Sequence, residues 1–255
     1  MLSLLAGLLL FIVSVYALLG LVIDYSVDSL SAEYEISIHK AFADELADAE
    51  MGNSNSSETE NNTEDLLAQL LECTDIAYPV NLTIAESETL NAYASVGGNI
   101  VIYTGLLEQL KSENALAFVL AHEIAHFKNR DHLRGLGRAI VFVAISALLG
   151  GDDSDVSSLL SPVNSLELAQ FSQSRESQAD AQALNILNCH YGHIGGATEF
   201  FELIAETRTD VDFSFTHYFS SHPEAKLRIE NIQTIAEEMN YSVEETQPKP
   251  ESLSQ

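Results

Sequence analysis

Between Leu2 and Ile23 the chain carries no charged residue. A helix of that length, rising about 1.5 Å per residue, is long enough to cross a hydrocarbon layer ~30 Å thick. The pattern changes at Asp24. Residues 32–50 suit an amphipathic helix, most clearly from His39 onward, and Met51 to Thr63 is polar and without period, as in a flexible linker or exposed loop. A helix is expected from Glu64 to Glu72. Apolar and polar positions alternate from Tyr78 to Ile84 as in a strand, and Asn91–Ser95 and Asn99–Thr104 predict two more strands around Gly97 and Gly98. A helix apolar on nearly every side follows, from Ser112, a suitable N-cap, to Arg134, where Gly135 and Gly137 loosen it. The apolar run Ala139–Leu149 is too short to span a bilayer, which leaves a buried or an interfacial helix. Gly, Asp, Ser and Pro162 mark a mobile loop from Gly150 to Ser165. Helices are expected over Leu166–Asn188, Ala197–Thr207 and Pro223–Met239, before a disordered tail from Tyr241 to Gln255. Strands clustered early among helices give the α+β class: a mainly helical domain with a small antiparallel sheet, preceded by an N-terminal transmembrane helix.

With 255 residues, 46% of them hydrophobic, one domain with a sizeable core is expected over residues 24–240, with the linker 51–63 inside it. Residues 1–23 are an anchor or a signal segment. The absence of a basic n-region and the mediocre cleavage site Val15-Tyr16-Ala17 favour an uncleaved anchor. No Lys or Arg lies between Asp24 and Glu35, so nothing holds that side in a cytoplasm. The expectation is a single-pass inner-membrane protein with its domain facing the periplasm, or a soluble periplasmic protein if the segment is cleaved.

A formal charge of −27, from 38 acids against 11 Lys and Arg, argues against nucleic-acid binding. Lys128, Arg130, Arg134 and Arg138 are four of those few cations, and they crowd just ahead of the apolar run. Cys73 and Cys189 permit one disulfide in an exported domain, but their spacing leaves the pairing open.

The chemistry concentrates in Ala121-His122-Glu123-Ile124-Ala125-His126-Phe127. On a helix, His122 and His126 lie one turn apart on the same face and can grip one Zn²⁺, with Glu123 placed to act on a water activated there. Apolar flanks on both sides set this motif in a core helix. A catalytic zinc site needs a third protein ligand and an open position. His132 has metzincin spacing, but Asn129 stands where that pattern has glycine, and no Met-turn is recognisable. Glu176 is the other candidate. It shares a helix face with Asp180, so one carboxylate can bind metal while the other accepts a hydrogen bond from a ligating imidazole.

From about Tyr78 to Ile229 the chain resembles the HtpX-like zinc metallopeptidases, relatives of the CaaX prenyl protease, and especially their small exported bacterial members. The resemblance rests on four motifs in order. These are Asn91-Ala92-Tyr93-Ala94 with Gly97-Gly98-Asn99-Ile100 and Thr104-Gly105-Leu106-Leu107; HEIAH with Lys128-Asn129-Arg130-Asp131; Glu176 with Asp180; and Ser221-His222-Pro223 with Arg228. It implies a gluzincin-type domain holding one Zn²⁺ per chain through His122, His126 and Glu176. Glu123 is then the general base, Asp180 is a support behind the ligands, and His222 stabilises the oxyanion or orients substrate, with Arg228 supporting it. It also implies that Asn91, Ala92, Tyr93, Ala94, Gly97 and Gly98 bind substrate as an edge strand. The segment Cys189-His190-Tyr191-Gly192-His193 departs from the family's usual glycine–proline turn, and its histidines read as surface residues.

The function that follows is a membrane-anchored zinc endopeptidase with protein or peptide substrates, probing the quality of envelope proteins. Two alternatives remain open: a latent or noncatalytic zinc-binding chaperone or assembly factor, against which Glu123 argues, and a secreted metzincin-like protease using His132.

Overall fold

The computed structural model describes residues 2–31, 33–38, 40–41, 58–76, 78–95, 97–150, 173–207 and 225–250. The elements are α1 (Leu2–Asp28), α2 (Glu58–Leu71), β1 (Asn81–Ala85), β2 (Ala92–Ser95), β3 (Asn99–Tyr103), α3 (Thr104–Gln109), α4 (Glu113–Lys128), α5 (Asp131–Gly150), α6 (Gln173–Tyr191), α7 (Glu199–Thr207) and α8 (Ala225–Met239). Residues 42–50 of the expected amphipathic helix, the expected loop beyond Gly150, residues 166–172 of the helix expected from Leu166, and the Ser221-His222-Pro223 motif lie outside the described residues.

The strand order is β1-β3-β2, with β1 parallel and β2 antiparallel to β3. The sheet is therefore mixed, not antiparallel. Alternation reveals strands but not their directions, and the chain reaches β3 from β1 only by way of β2, which leaves β1 and β3 running the same way. The turn between β2 and β3 puts Gly97 at φ 100° and Gly98 at φ 76°, a region that side chains bearing a Cβ resist.

Helix α4 is the centre of the molecule. Ser112 caps it, its Oγ accepting the Ala115 N–H at 3.1 Å, while the Glu199 carboxylate accepts from the Lys111 and Ser112 amides at 2.6 and 3.1 Å. Every residue from Asn114 to Phe127 is buried. Around it lie Leu66, Leu67 and Leu70 of α2, Ile100 and Ile102 of β3, Ala183, Leu184 and Leu187 of α6, and Phe200 and Phe201 of α7. Full burial of each such Leu, Ile or Phe contributes about 1.5–3 kcal/mol.

Helix α4 does not run on to Arg134. It stops at Lys128, and Arg130 adopts φ 56°, so that Asp131 starts a new helix. The Arg130 side chain accounts for the break: its guanidinium donates to the Val27 and Leu30 carbonyls at 2.9 and 3.0 Å and pairs with buried Glu35 at 2.8 Å. Gly135 and Gly137 sit inside α5 without loosening it, and a Cβ on Gly137 would stand 2.7 Å from Ile23 Cγ2.

Contacts further along α5 fall earlier in α1: Arg130, just before α5, meets Leu30, just after α1; Arg134 meets Asp28; and Gly137 and Arg138 meet Ile23 and Asp24. The two helices are antiparallel, and the basic cluster binds the end of the apolar helix. Lys128 instead pairs with Asp75 at 2.7 Å. Beyond the cluster the apolar run is helical, with Val143 buried but Ile140 54% exposed. Helix α1 itself exposes Leu10, Phe11, Leu18 and Leu21, and its Leu10–Asp28 portion is long and apolar enough to cross a membrane.

Three expectations are revised by tertiary contacts. Helix α2 begins at Glu58, inside the expected linker, because Thr63 is wholly buried and its hydroxyl donates to the Thr59 carbonyl at 2.8 Å; residues 51–57 lie outside the described set. Residues 241–250 of the expected tail run along the domain as a strap, and residues 251–255 lie outside the described residues. The Gln247 amide donates to Asn114 Oδ1 at 2.7 Å, Pro248 bridges to Ser112, and Lys249 Nζ donates to the Leu107 carbonyl at 2.7 Å. His193 is buried, its Nδ1 accepting the Gly195 amide at 3.0 Å. Cys73 and Cys189 form a disulfide that ties the end of α2 to α6.

Candidate metal centre

Helices α4 and α6 pack along each other and deliver the site between them. From α4 come His122, Glu123 and His126, all within 3% of full burial. Glu176 and Asp180, one turn apart on α6, face them and are equally buried. His122 Nε2 and His126 Nε2 are 3.1 Å apart, and the Glu176 carboxylate stands 3.4 Å from the first and 3.5 Å from the second. Among the described residues, these three side chains form a group of potential metal donors. Spacings of this size fit an ion about 2 Å from each donor, the ordinary zinc distance, and two neutral imidazoles with one carboxylate are a familiar zinc set. His132 is not part of the group. It lies in α5, buried, with its ring edge-on to Phe127 at 4.9 Å between centroids.

The far nitrogens of both imidazoles meet carboxylates. Asp180 Oδ1 is 3.2 Å from His122 Nδ1, and Asp131 Oδ2 is 3.0 Å from His126 Nδ1. Such partners fix which ring nitrogen carries the proton and leave the other free to ligate. Arg228, from α8, locks the opposite side. Its Nε donates to Asp180 Oδ2 at 3.0 Å, its Nη1 pairs with Glu176 at 2.8 Å, and its plane lies 4.4 Å over the Phe201 ring. Arg228 Nη2 is also 3.1 Å from His122 Nδ1.

The electrostatics favour a cation. Burial alone lowers the His126 pKa, but Asp131, Glu176 and Glu123 outweigh it and raise it to about 10. Burial raises the Asp180 pKa, yet Arg228 and His122 more than offset this and hold it below the usual carboxylate range. The carboxylates that raise the His126 pKa, Asp131, Glu176 and Glu123, surround the donor nitrogens with negative charge, the sign that a metal cation requires.

Toward the sheet, β2 is an edge strand and packs on α4. Asn91 and Ala92 are buried, Tyr93 and Ala94 are partly exposed, and Gly97 and Gly98 form the turn.

The profile described as Peptidase family M48 matches residues 57–236, a span that takes in every one of these groups. The chain belongs to peptidase family M48. Its M48 relatives include a protease HtpX homolog of Persephonella marina, 30% identical over 219 residues, which cover 69% of this chain and 75% of the relative. Metalloprotease LoiP of Escherichia coli is 28% identical over 160 residues, 61% of this chain and 62% of LoiP. A beta-barrel assembly-enhancing protease of Yersinia pestis is 36% identical over 58 residues, 23% of this chain and 12% of that protein. An M48 chain of this kind is a metalloendopeptidase, and the family implies a metal cofactor.

Within this M48 site the structure brings together His122, Glu123, His126, Glu176, Asp180 and Arg228, whereas His222 lies outside the described residues. Two side chains that pattern alone did not single out also belong to it. Asp131 stands in the Lys128-Asn129-Arg130-Asp131 segment already noted as a motif, and a carboxylate just past the second histidine was the available signal. Arg175 directly precedes Glu176 and pairs with Asp131.

Proposed function

We propose that this chain is a zinc-dependent endopeptidase of gluzincin type, anchored in the inner membrane by α1 with its domain in the periplasm, that hydrolyses envelope proteins in quality control. The observation that carries the catalytic part is the convergence of His122, His126 and Glu176 beside Glu123 in a buried, cation-favouring pocket.

In this reading His122, His126 and Glu176 hold one Zn²⁺. When bound, zinc acts as a Lewis acid that polarises the scissile carbonyl and lowers the pKa of water toward neutrality. Glu123 takes the proton from the attacking water and passes it to the leaving amine. Asp180 and Asp131 keep the two imidazoles in the ligating tautomer, and Arg228 fixes Asp180 and Glu176. His222 supplies an oxyanion contact. The substrate lies extended along the β2 edge, pairing with the backbone of Asn91, Ala92, Tyr93 and Ala94, with Gly97 and Gly98 leaving room at the turn.

The disulfide supports an oxidising compartment, since such bonds persist in exported proteins and are rare in the cytosol. Membrane anchoring is supported by the apolar exposure of α1 and by the exposed Tyr25 and Tyr34 near its end, where interfacial aromatics belong. Envelope substrates follow from a protease domain held beside a membrane, and the Yersinia pestis relative is itself a beta-barrel assembly-enhancing protease.

The test is proteolysis of unfolded casein by the full-length protein in detergent. Expected is cleavage that stops on chelation and returns on adding zinc. A fully zinc-loaded parent that leaves casein intact overturns the endopeptidase reading.

A further inference from the structure

Four side chains join the apolar N-terminal helix to the metal centre without a gap. Asp131 is 1% exposed and has two carboxylate oxygens to satisfy. Oδ2 meets His126 Nδ1 at 3.0 Å, and Oδ1 takes Arg175 Nη1. Arg175 then reaches out of the site, its Nη2 donating to Asp24 Oδ1 at 3.1 Å. Asp24 also holds Arg138, which donates to both of its oxygens at 3.0 and 2.9 Å.

We infer that Asp24, a residue of helix α1, is a positioning residue of the metal centre, acting through Arg175 and Asp131 on His126. The inference rests on the metal-site reading above. A buried carboxylate facing one imidazole is costly unless a second donor neutralises it, and a guanidinium does so in a fixed, planar geometry. Because that plane is rigid, what grips its far edge sets how its near edge meets Asp131. The far edge is gripped by Asp24. Arg175 also begins the turn of α6 that carries Glu176, so its placement bears on two of the three donors at once. Helix α1 is then part of the site's scaffold as well as an apolar helix: loss of the Asp24 contact with Arg175 loosens the metal ligands.

The rival explanation is that Asp24 only docks α1 on α5. Arg138 separates the two, because it grips Asp24 from α5 and touches neither Asp131 nor a donor. The experiment measures zinc affinity by chelator competition, and the visible spectrum of the cobalt-substituted protein, on full-length parent and variants. Asp24→Asn is expected to weaken zinc binding about threefold to tenfold and Arg175→Gln about tenfold, toward the lower end of the losses seen for partners of metal-binding histidines, each with an altered cobalt spectrum. The double variant is expected to be no weaker than Arg175→Gln alone, since both act along one path. Arg138→Gln is expected to keep the parent affinity within about twofold. Parent-like affinity and spectrum in Asp24→Asn, or additive losses in the double variant, overturn the inference. If Asp24→Asn does not fold, Asp24→Glu and Arg175→Lys carry the test, and parent-like affinity in both overturns it. A parent that binds no zinc defeats the metal reading itself and this inference with it.

Discussion

Asp131 stands 3.0 Å from His126 Nδ1 although only five residues separate them in sequence, because the helix carrying His126 has ended and a second has begun between them. On one continuous helix a side chain five positions on points away from the first, since neighbours on a face lie three or four apart. The left-handed turn at Arg130 makes the meeting possible, and Arg130 is held there by contacts with the end of α1 and with Glu35. Asp131→Asn is therefore expected to keep the fold and weaken zinc binding about 10- to 100-fold. Chelator competition measures it. Parent-like affinity in this variant means that the carboxylate has no part in orienting His126.

The donor set is separable from its runner-up by metal content. Glu176→Ala leaves the site one donor short and is expected to lose most of its zinc, whereas His132→Ala, whose ring packs on Phe127, is expected to retain it. Elemental analysis of both purified variants decides the matter. Zinc lost from the His132 variant and kept in the Glu176 variant reverses the assignment.

Glu123→Gln tests the chemistry apart from the metal. A carboxamide of nearly the same shape cannot accept the water's proton, so the variant is expected to bind zinc and fold as the parent does while turnover of unfolded substrate falls by about 10²–10⁴. Turnover is compared at matched zinc occupancy. Undiminished cleavage assigns the proton transfer to some other group.

Much of the site could be read from the chain, because it is built from local spacing. His122 and His126 face one way by helical period alone, and so do Glu176 and Asp180. What escaped is what depends on tertiary closure. Nothing in the pattern places Arg175 against both Asp131 and Asp24, since that requires α1 to be docked along α5. The end of α4 was misplaced because the left-handed residue is an arginine, stabilised from a distance, where glycine would have been the signal. The strap at 241–250 has no hydrophobic period at all: it is held by the Gln247 amide on Asn114 Oδ1, the Lys249 ammonium on the Leu107 carbonyl and the bridge of Pro248 to Ser112. The sheet's direction was hidden for a related reason, because side-chain alternation is the same in parallel and antiparallel strands.

The disulfide makes a stability prediction independent of catalysis. Cys73 and Cys189 are 116 residues apart, so their bond closes a long loop in the unfolded chain. Replacing both by serine is expected to cost about 2–5 kcal/mol, seen as a lower denaturation midpoint, with zinc stoichiometry retained. Equal midpoints for the oxidised parent and the double serine variant show that the bond contributes nothing to stability.

Acidification is expected to strip the metal, and the sign follows from His126. In the metal-free protein its pKa is raised from 6.5 to about 10: burial pulls it down, but Asp131, Glu176 and Glu123 pull it further up. A ligating imidazole must be neutral, so below that pKa zinc has to displace a proton. For this one proton the apparent affinity falls about tenfold for each pH unit lost. The stability of the metal-free protein runs the other way. A histidine whose folded pKa is raised stabilises the fold fully below its unfolded pKa, near 6.5, and that contribution disappears as pH rises through about 10. Zinc-loaded and zinc-free protein should therefore diverge in stability as pH rises from 6 to 9. Competition titrations at several pH values, paired with denaturant unfolding of both forms, measure the two slopes. A zinc affinity that stays flat across this range contradicts a buried, carboxylate-held His126 as a ligand.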